Sequence, residues 1–206
     1  LGYYNSQEEI DNAEAKSSFG TVKPGDLKYK DQNGDGVIDS KDRVVIGRWS
    51  AKFTGGMNLT LKYKNFTLFA MLTGQFGGNA IKNDTYNWVY GERKYSDVVL
   101  GAWTESKYKN GESITYPRLT TQSGDNNFNT SDYWMYSTDR IDLSRVQLTY
   151  DFSKSLFGDN ALVKGLQVYV NGSSLLTIAG ERKQMERNVG SAPQTRSFTI
   201  GAKVEF

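Results

Sequence analysis

Residues 195–206 read T-R-S-F-T-I-G-A-K-V-E-F, and they constrain the fold more than any other stretch. Phe198, Ile200, Ala202, Val204 and Phe206 fall on one face of an extended chain, and mostly polar residues fall between them. Unpaired chain ends fray, so period-2 alternation held to an aromatic final residue predicts a strand with partners on both sides. The pattern recurs upstream and predicts further strands at 52–64, 66–76, 140–152 and 162–176. On the first of these, Phe53, Gly55, Met57, Leu59, Leu61 and Tyr63 share a face. In 140–152 the apolar parity switches between Leu143 and Val146, which predicts a bulge near Ser144 and Arg145.

The connections are unequal. Lys64-Asn65 and residues 153–161 predict short turns, whereas 1–51, 77–139 and 178–194 are long. In an antiparallel order the short turns fall at one end and the long segments at the other, the asymmetry of outer-membrane barrels. Aromatic residues mark the strand ends, with Phe53 and Phe76 at the loop end and Tyr63, Phe66, Tyr150, Phe152 and Phe206 at the turn end. A barrel needs about eight strands, so five imply part of a larger one. The opening at Leu1, with no methionine, fits a piece of a longer chain. The competing architecture is a soluble β-sandwich whose apolar faces meet in a core.

Composition narrows the chemistry. The chain has no Cys and no His, which excludes disulfides, thiolate metal sites, cysteine nucleophiles, Ser-His-Asp triads and His-ligated metals. A net charge of +2 argues against nucleic acid as a partner. No apolar run is long enough for a membrane helix, and the mean hydropathy of −0.59 still suits a barrel, where alternate residues face lipid. Scattered carboxylates such as Asp139 and Asp142 define no cleft, so an enzyme is not expected.

Residues 31–42, D-Q-N-G-D-G-V-I-D-S-K-D, match a calcium-loop pattern. Asp31, Asn33 and Asp35 take positions 1, 3 and 5, Gly36 the sharp turn, Val37 the backbone carbonyl, Asp39 position 9 and Asp42 position 12. Hard oxygen donors at this spacing suit Ca2+. The competing reading of the same residues is a metal-free Asx/Gly-rich turn. In the long loop, Tyr86, Trp88, Tyr90, Trp103, Tyr133 and Trp134 are candidates for contact with ligand or partner, against a reading in which they pack the loop on itself. Residues 97–104 predict a short helix packing Val98, Leu100 and Trp103. Residues 6–10 predict an N-capped helical turn, and 27–29 and 44–46 short extended pieces.

Several stretches resemble SusC/RagA-type TonB-dependent outer-membrane transporters of Bacteroidetes. They are residues 24–47, K-F-T-G-G-M-N-L at 52–59, Y-P-R-L at 116–119, R-I-D-L-S-R-V-Q-L-T-Y at 140–150, L-Q-V-Y-V-N-G-S-S-L-L-T at 166–177 and the terminal strand. The resemblance implies an all-β fold, the C-terminal strands of a large antiparallel transmembrane β-barrel with long extracellular loops. It assigns 1–51 to an extracellular segment with the calcium-type loop, and 52–206 to the last five strands of a barrel of about 22. It implies import of glycans or peptides with a SusD-like surface lipoprotein, energised by TonB through an N-terminal part, with a plug, further strands and outer-membrane lipid as neighbours. Phe206 would then be an assembly signal. The alternative is a secreted calcium-stabilised β-sandwich that binds carbohydrate.

Overall fold

The computed structural model describes residues 1–121, 126–152, 162–186 and 195–206. The chain forms two compact units, residues 1–46 with 81–135, and residues 47–80 with 136–206. The first holds helix α1 (Gln7–Asp11), a parallel pair of two-residue strands, β1 (Lys16–Ser17) and β2 (Val37–Ile38), and helix α2 (Glu105–Lys109). The second holds one antiparallel sheet of β3 (Phe53–Tyr63), β4 (Phe66–Phe76), β7 (Arg140–Asp151), β8 (Gly165–Ala179) and β9 (Ser197–Glu205), in that order. A separate short pair, β5 (Asn79–Ile81) and β6 (Met135–Ser137), lies where the chain passes between the units, and helix α3 (Arg182–Met185) follows β8.

Alternation in sequence becomes two chemically distinct faces because the register keeps parity across every strand pair. Leu61, Leu68, Leu148, Val170 and Ile200 form one row across all five strands, and Leu59, Ala70, Val146, Gly172 and Phe198 the next. The opposite face reads Thr60, Phe69, Gln147, Asn171 and Thr199. Phe69 and Met71, which interrupt the alternation of 66–76, sit on this second face. The bulge lies where the parity switch predicts it. Met71 pairs Arg145 while Leu72 pairs Leu143, so Ser144 is the extra residue on β7. Without it, Val146, Leu148 and Tyr150 would turn to the polar face.

The strand ends differ from expectation by a residue or two, except that β8 starts later and runs on to Ala179. Lys64 takes a left-handed conformation (φ 51°) in the two-residue β3–β4 turn. The turn predicted at 153–161, and residues 187–194 of the last loop, lie outside the described residues. Ser6 caps α1, its hydroxyl accepting from the Glu9 N–H at 3.2 Å. The helix expected at 97–104 is a 3-10 turn, Asp97–Gly101, followed by α2. Val98 and Trp103 pack inward there, but Leu100 points to solvent. Residues 44–46 form no strand, and Val45 is 94% exposed.

Candidate functional site

Two surfaces carry the chemistry, and they obey opposite rules. On the sheet, large apolar side chains gather on one face and stay exposed. Every residue of β3 is exposed, and Met57, Leu59, Leu61, Leu148, Val170, Phe198 and Ile200 are all accessible. No buried hydrophobic core among the described residues belongs to this sheet. Its ends carry aromatic pairs: Phe53 stacks with Phe76 at 6.4 Å, Phe66 meets Tyr150 at 4.8 Å, and Tyr150 meets Phe152 at 4.9 Å. Along β3 the two aromatic rows are ten residue steps apart, ~33 Å of strand and about 25 Å of height at a tilt of ~40°. That matches the apolar band of a membrane barrel, with amphipathic rings at both interfaces. The other face is laced by side-chain hydrogen bonds: Arg145 to Asn171 and Gln147, Thr73 to Ser144, and Thr177 to Asp142.

The first unit has an ordinary buried core of Leu27, Ala102, Tyr116, Phe128 and Trp134, edged by Trp88, Tyr90 and Tyr133. Two segments distant in sequence build it, and buried polar side chains join them. Asp26 is wholly buried, and its carboxylate accepts from the Lys23 N–H (2.8 Å) and Asn127 Nδ2 (2.7 Å). Arg118 meets the same carboxylate through Nη2 at 3.0 Å and Nε at 2.6 Å. Burial pushes the Asp26 carboxyl up, and these donors pull it back only in part. Asn127 Oδ1 also accepts from the Leu27 N–H, and Asn126 Nδ2 donates to the Leu27 carbonyl. Gly25 permits the junction: its φ is 93°, and a Cβ there would lie 2.5 Å from the Trp103 ring. Sequence reading missed this network, since an Asp followed by an Arg 92 residues later leaves no periodic trace.

The predicted contact aromatics divide. Trp103 and Trp134 are 9% and 3% exposed, which corrects their assignment: both are interior residues. Trp134 donates its indole N–H to the Asn127 carbonyl. Tyr133 donates to the Thr115 carbonyl and meets the Tyr3 hydroxyl, and burial pushes its phenol well up. Tyr86 donates to the Asp97 carboxylate, and Tyr90 lies 4.0 Å beneath the Arg93 guanidinium. Trp88 is half-buried, its ring 5.8 Å from Phe128 and 6.1 Å from Trp134. More accessible aromatics outside the candidate set are Tyr95, Tyr108 and Trp49.

The 31–42 loop wraps on itself as its Asx and Gly residues dictate. Asp31 accepts from the Gly34 and Gly36 N–H groups, Asp35 from Val37, Asp39 from Lys41, and Asp42 from Gln32 and Asp39. Gly36 makes the sharp turn at φ 79°. The donor types fit a hard cation. Their arrangement holds no group of three or more carboxylates positioned for a metal among the described residues, and the Lys41 ammonium lies 3.6 Å from Asp35. Phe206 ends the chain exposed, beside the turn-end row.

No family model matches the chain. Along its whole length it is 29% identical to TonB-dependent receptor P26 of Formosa agariphila, covering 22% of that protein. It is 22% identical over 89% of its length to the TonB-dependent receptor SusC of Bacteroides thetaiotaomicron, covering 18% of it. Its homologues are TonB-dependent receptors. Among solved structures it is similar to the RagAB peptide importer in the open-open state, with a TM-score of 0.61 and 26% identity over 79% of this chain and 18% of that one. The closed-closed RagAB structure gives a TM-score of 0.66 at 23% identity, over 100% of this chain and 22% of that one. These TonB-dependent relatives are receptors and transporters rather than enzymes, and their barrels share the all-β antiparallel architecture seen here. The chain spans about a fifth of the length of the curated relatives it matches.

Proposed function

We propose that this chain forms part of the wall and outer loops of a TonB-dependent importer in a bacterial outer membrane. The observation that carries the reading is the outward apolar face of the sheet, bounded by two aromatic rows about 25 Å apart in height. β3 and β9 each pair on one side only among the described residues, so the sheet has two edges for neighbouring strands to complete. The first unit is then an extracellular module that meets cargo, a glycan or a peptide, together with a SusD-like lipoprotein. Similarity to the RagAB peptide importer supports the peptide class and a paired partner, and the glycan class rests on the sequence resemblance. Phe206 serves assembly in this reading.

Fractionation tests it. The protein should copurify with outer membrane, require detergent, and migrate faster on gels before heating than after. A freely soluble monomer would instead favour the secreted carbohydrate-binding sandwich. Deleting Phe206 should lower insertion, and unchanged insertion would remove that role.

Calcium at 31–42 belongs to the same reading. Its support is the donor set of Asp31, Asn33, Asp35, Val37, Asp39 and Asp42. Binding would compete with the Lys41 ammonium, which lies 3.6 Å from Asp35 and 3.9 Å from Asp39. Calorimetry on chelator-treated protein should show saturable calcium binding that Asp31→Asn with Asp35→Asn abolishes. A flat titration would leave the loop as a metal-free turn.

A further inference from the structure

The chain holds three Asn-Gly pairs: Asn33-Gly34, Asn110-Gly111 and Asn171-Gly172. A glycine nitrogen has no side chain beside it, so it can close on the preceding asparagine Cγ with little hindrance once the backbone is free to turn. The structure sets the three pairs apart. Asn171 lies inside β8, paired with Gln147 on one side and Thr199 on the other, and its Oδ1 accepts from Arg145 Nε at 2.8 Å. Gly172 is held in the same two ladders. Asn33 is exposed, but both of its reacting groups are tied to carboxylates. The Gly34 N–H donates to Asp31 Oδ1 at 2.6 Å, and Asn33 Nδ2 donates to Asp35 Oδ2 at 3.0 Å. Asn33 Oδ1 also accepts from the Asp35 N–H at 2.9 Å.

Asn110 is exposed and ends α2, and Gly111 follows in the left-handed region at φ 67°. The helix has five residues, none of them buried. Its end is closed by two neutral bonds, from the Gly111 N–H to the Tyr108 carbonyl at 3.1 Å and from the Glu112 N–H to the Lys107 carbonyl at 2.9 Å. A helix this short is marginal, and its exposed terminal bonds open at little cost. Asn110 Nδ2 donates to Glu112 Oε1 at 3.1 Å, a contact at the surface.

We propose that Asn110 is a site of spontaneous deamidation, and that the Asp31 and Asp35 carboxylates protect Asn33 from the same reaction. Hydroxide takes the proton of the Gly111 nitrogen, which attacks Asn110 Cγ. The Cγ–Nδ2 bond breaks, and ammonia leaves with a proton from water. Water then opens the cyclic imide at either carbonyl, giving aspartate or isoaspartate, so the net change is water in and ammonia out. The new carboxylate arrives at the negative end of the helix and beside Glu112, where it is disfavoured. Isoaspartate also reroutes the backbone through the side-chain carbons, which breaks the two closing bonds. Deamidation therefore loosens the end of α2, while the donor set of the 31–42 loop stays as synthesised. None of this depends on the transport reading.

The test is a time course on the chelator-treated, detergent-solubilised protein in mildly alkaline buffer, read by peptide mass spectrometry. Asn110 should convert about tenfold faster than Asn33, the difference between opening a neutral hydrogen bond and one to a carboxylate. Asn171 should be slowest. Asp31→Ala frees the Gly34 N–H and should bring Asn33 close to the Asn110 rate. Asn33 converting as fast as Asn110 in the unaltered protein overturns the proposal, as does an Asn33 rate that Asp31→Ala leaves unchanged. It also fails if Asn110 keeps its amide while a short peptide of the same local sequence loses it.

Discussion

The sheet and the loop module are built from similar residues turned in opposite senses. In the module, Trp134, Phe128 and Leu27 face inward and the cost of an interior Asp26 is met by Arg118 and Asn127. In the sheet, Leu61, Leu148 and Ile200 face outward, and the hydrogen-bonded Arg145, Gln147 and Asn171 lie behind them. Water drives apolar groups to an interior. An outward apolar face of full membrane height is stable only where the surrounding medium is itself apolar. In the proposed reading the contrast reports two solvents along one chain.

The largest effect that would sharpen this contrast is confined to the module. Asp26→Ala leaves the Arg118 guanidinium without its carboxylate in a buried site, which costs about 3–5 kcal/mol. Hydrogen exchange should show residues 1–46 and 81–135 losing protection while the sheet keeps its own. Joint loss would mean that the two units stand or fall together. Next comes a matched pair on β3. Leu59→Arg near the middle of the apolar band should cost about 2–4 kcal/mol of barrel stability in bilayers, whereas Thr60→Arg on the other face should cost little. Equal costs would break the two-solvent account.

Alkaline pH gives a graded test. Burial raises the Tyr116 phenol to about 12, and the Tyr29 and Tyr133 phenols also rise. Below pH 10 the folded and unfolded states both hold the Tyr116 proton, so its contribution to stability is fully present. Between 10 and about 12 only the folded state keeps it, and stability falls by about 1.4 kcal/mol per pH unit for that group. Module unfolding followed by phenolate absorbance should show at least that slope, with Tyr29 and Tyr133 adding to it, and Tyr116→Phe should remove about 1.4 kcal/mol per pH unit from it. The smallest effect is local. Ser6→Ala should destabilise α1 by about 1 kcal/mol and leave the sheet untouched.

Most of the sheet is legible in the sequence, since one backbone rule with period 2 sets every side chain's face. Even the Ser144 bulge leaves a trace, a parity switch within a single strand. The module is legible only in pieces. The Ser6 cap and the 31–42 loop are local and visible, but their union with 81–135 depends on Asp26, Arg118, Asn126 and Asn127, whose pairing has no repeat to betray it. Trp103 and Trp134 read as contact residues because aromatics in a polar loop look alike whether they anchor a partner or fill a core. Val44–Ile46 reads as extended by propensity, yet it has no ladder partner among the described residues.

The threading of the module has a consequence for timing. Its halves flank the β3–β4 hairpin, and its latch joins residues 92 apart in sequence. Local structure such as the α1 turn and the hairpin forms at little entropic cost, whereas this closure must await a long intervening stretch of chain. The module therefore closes only after Arg118 and Asn127 have been made, later than the hairpin. A chain stalled after the hairpin emerges leaves Leu27 without the Tyr116, Phe128 and Trp134 rings that cover it.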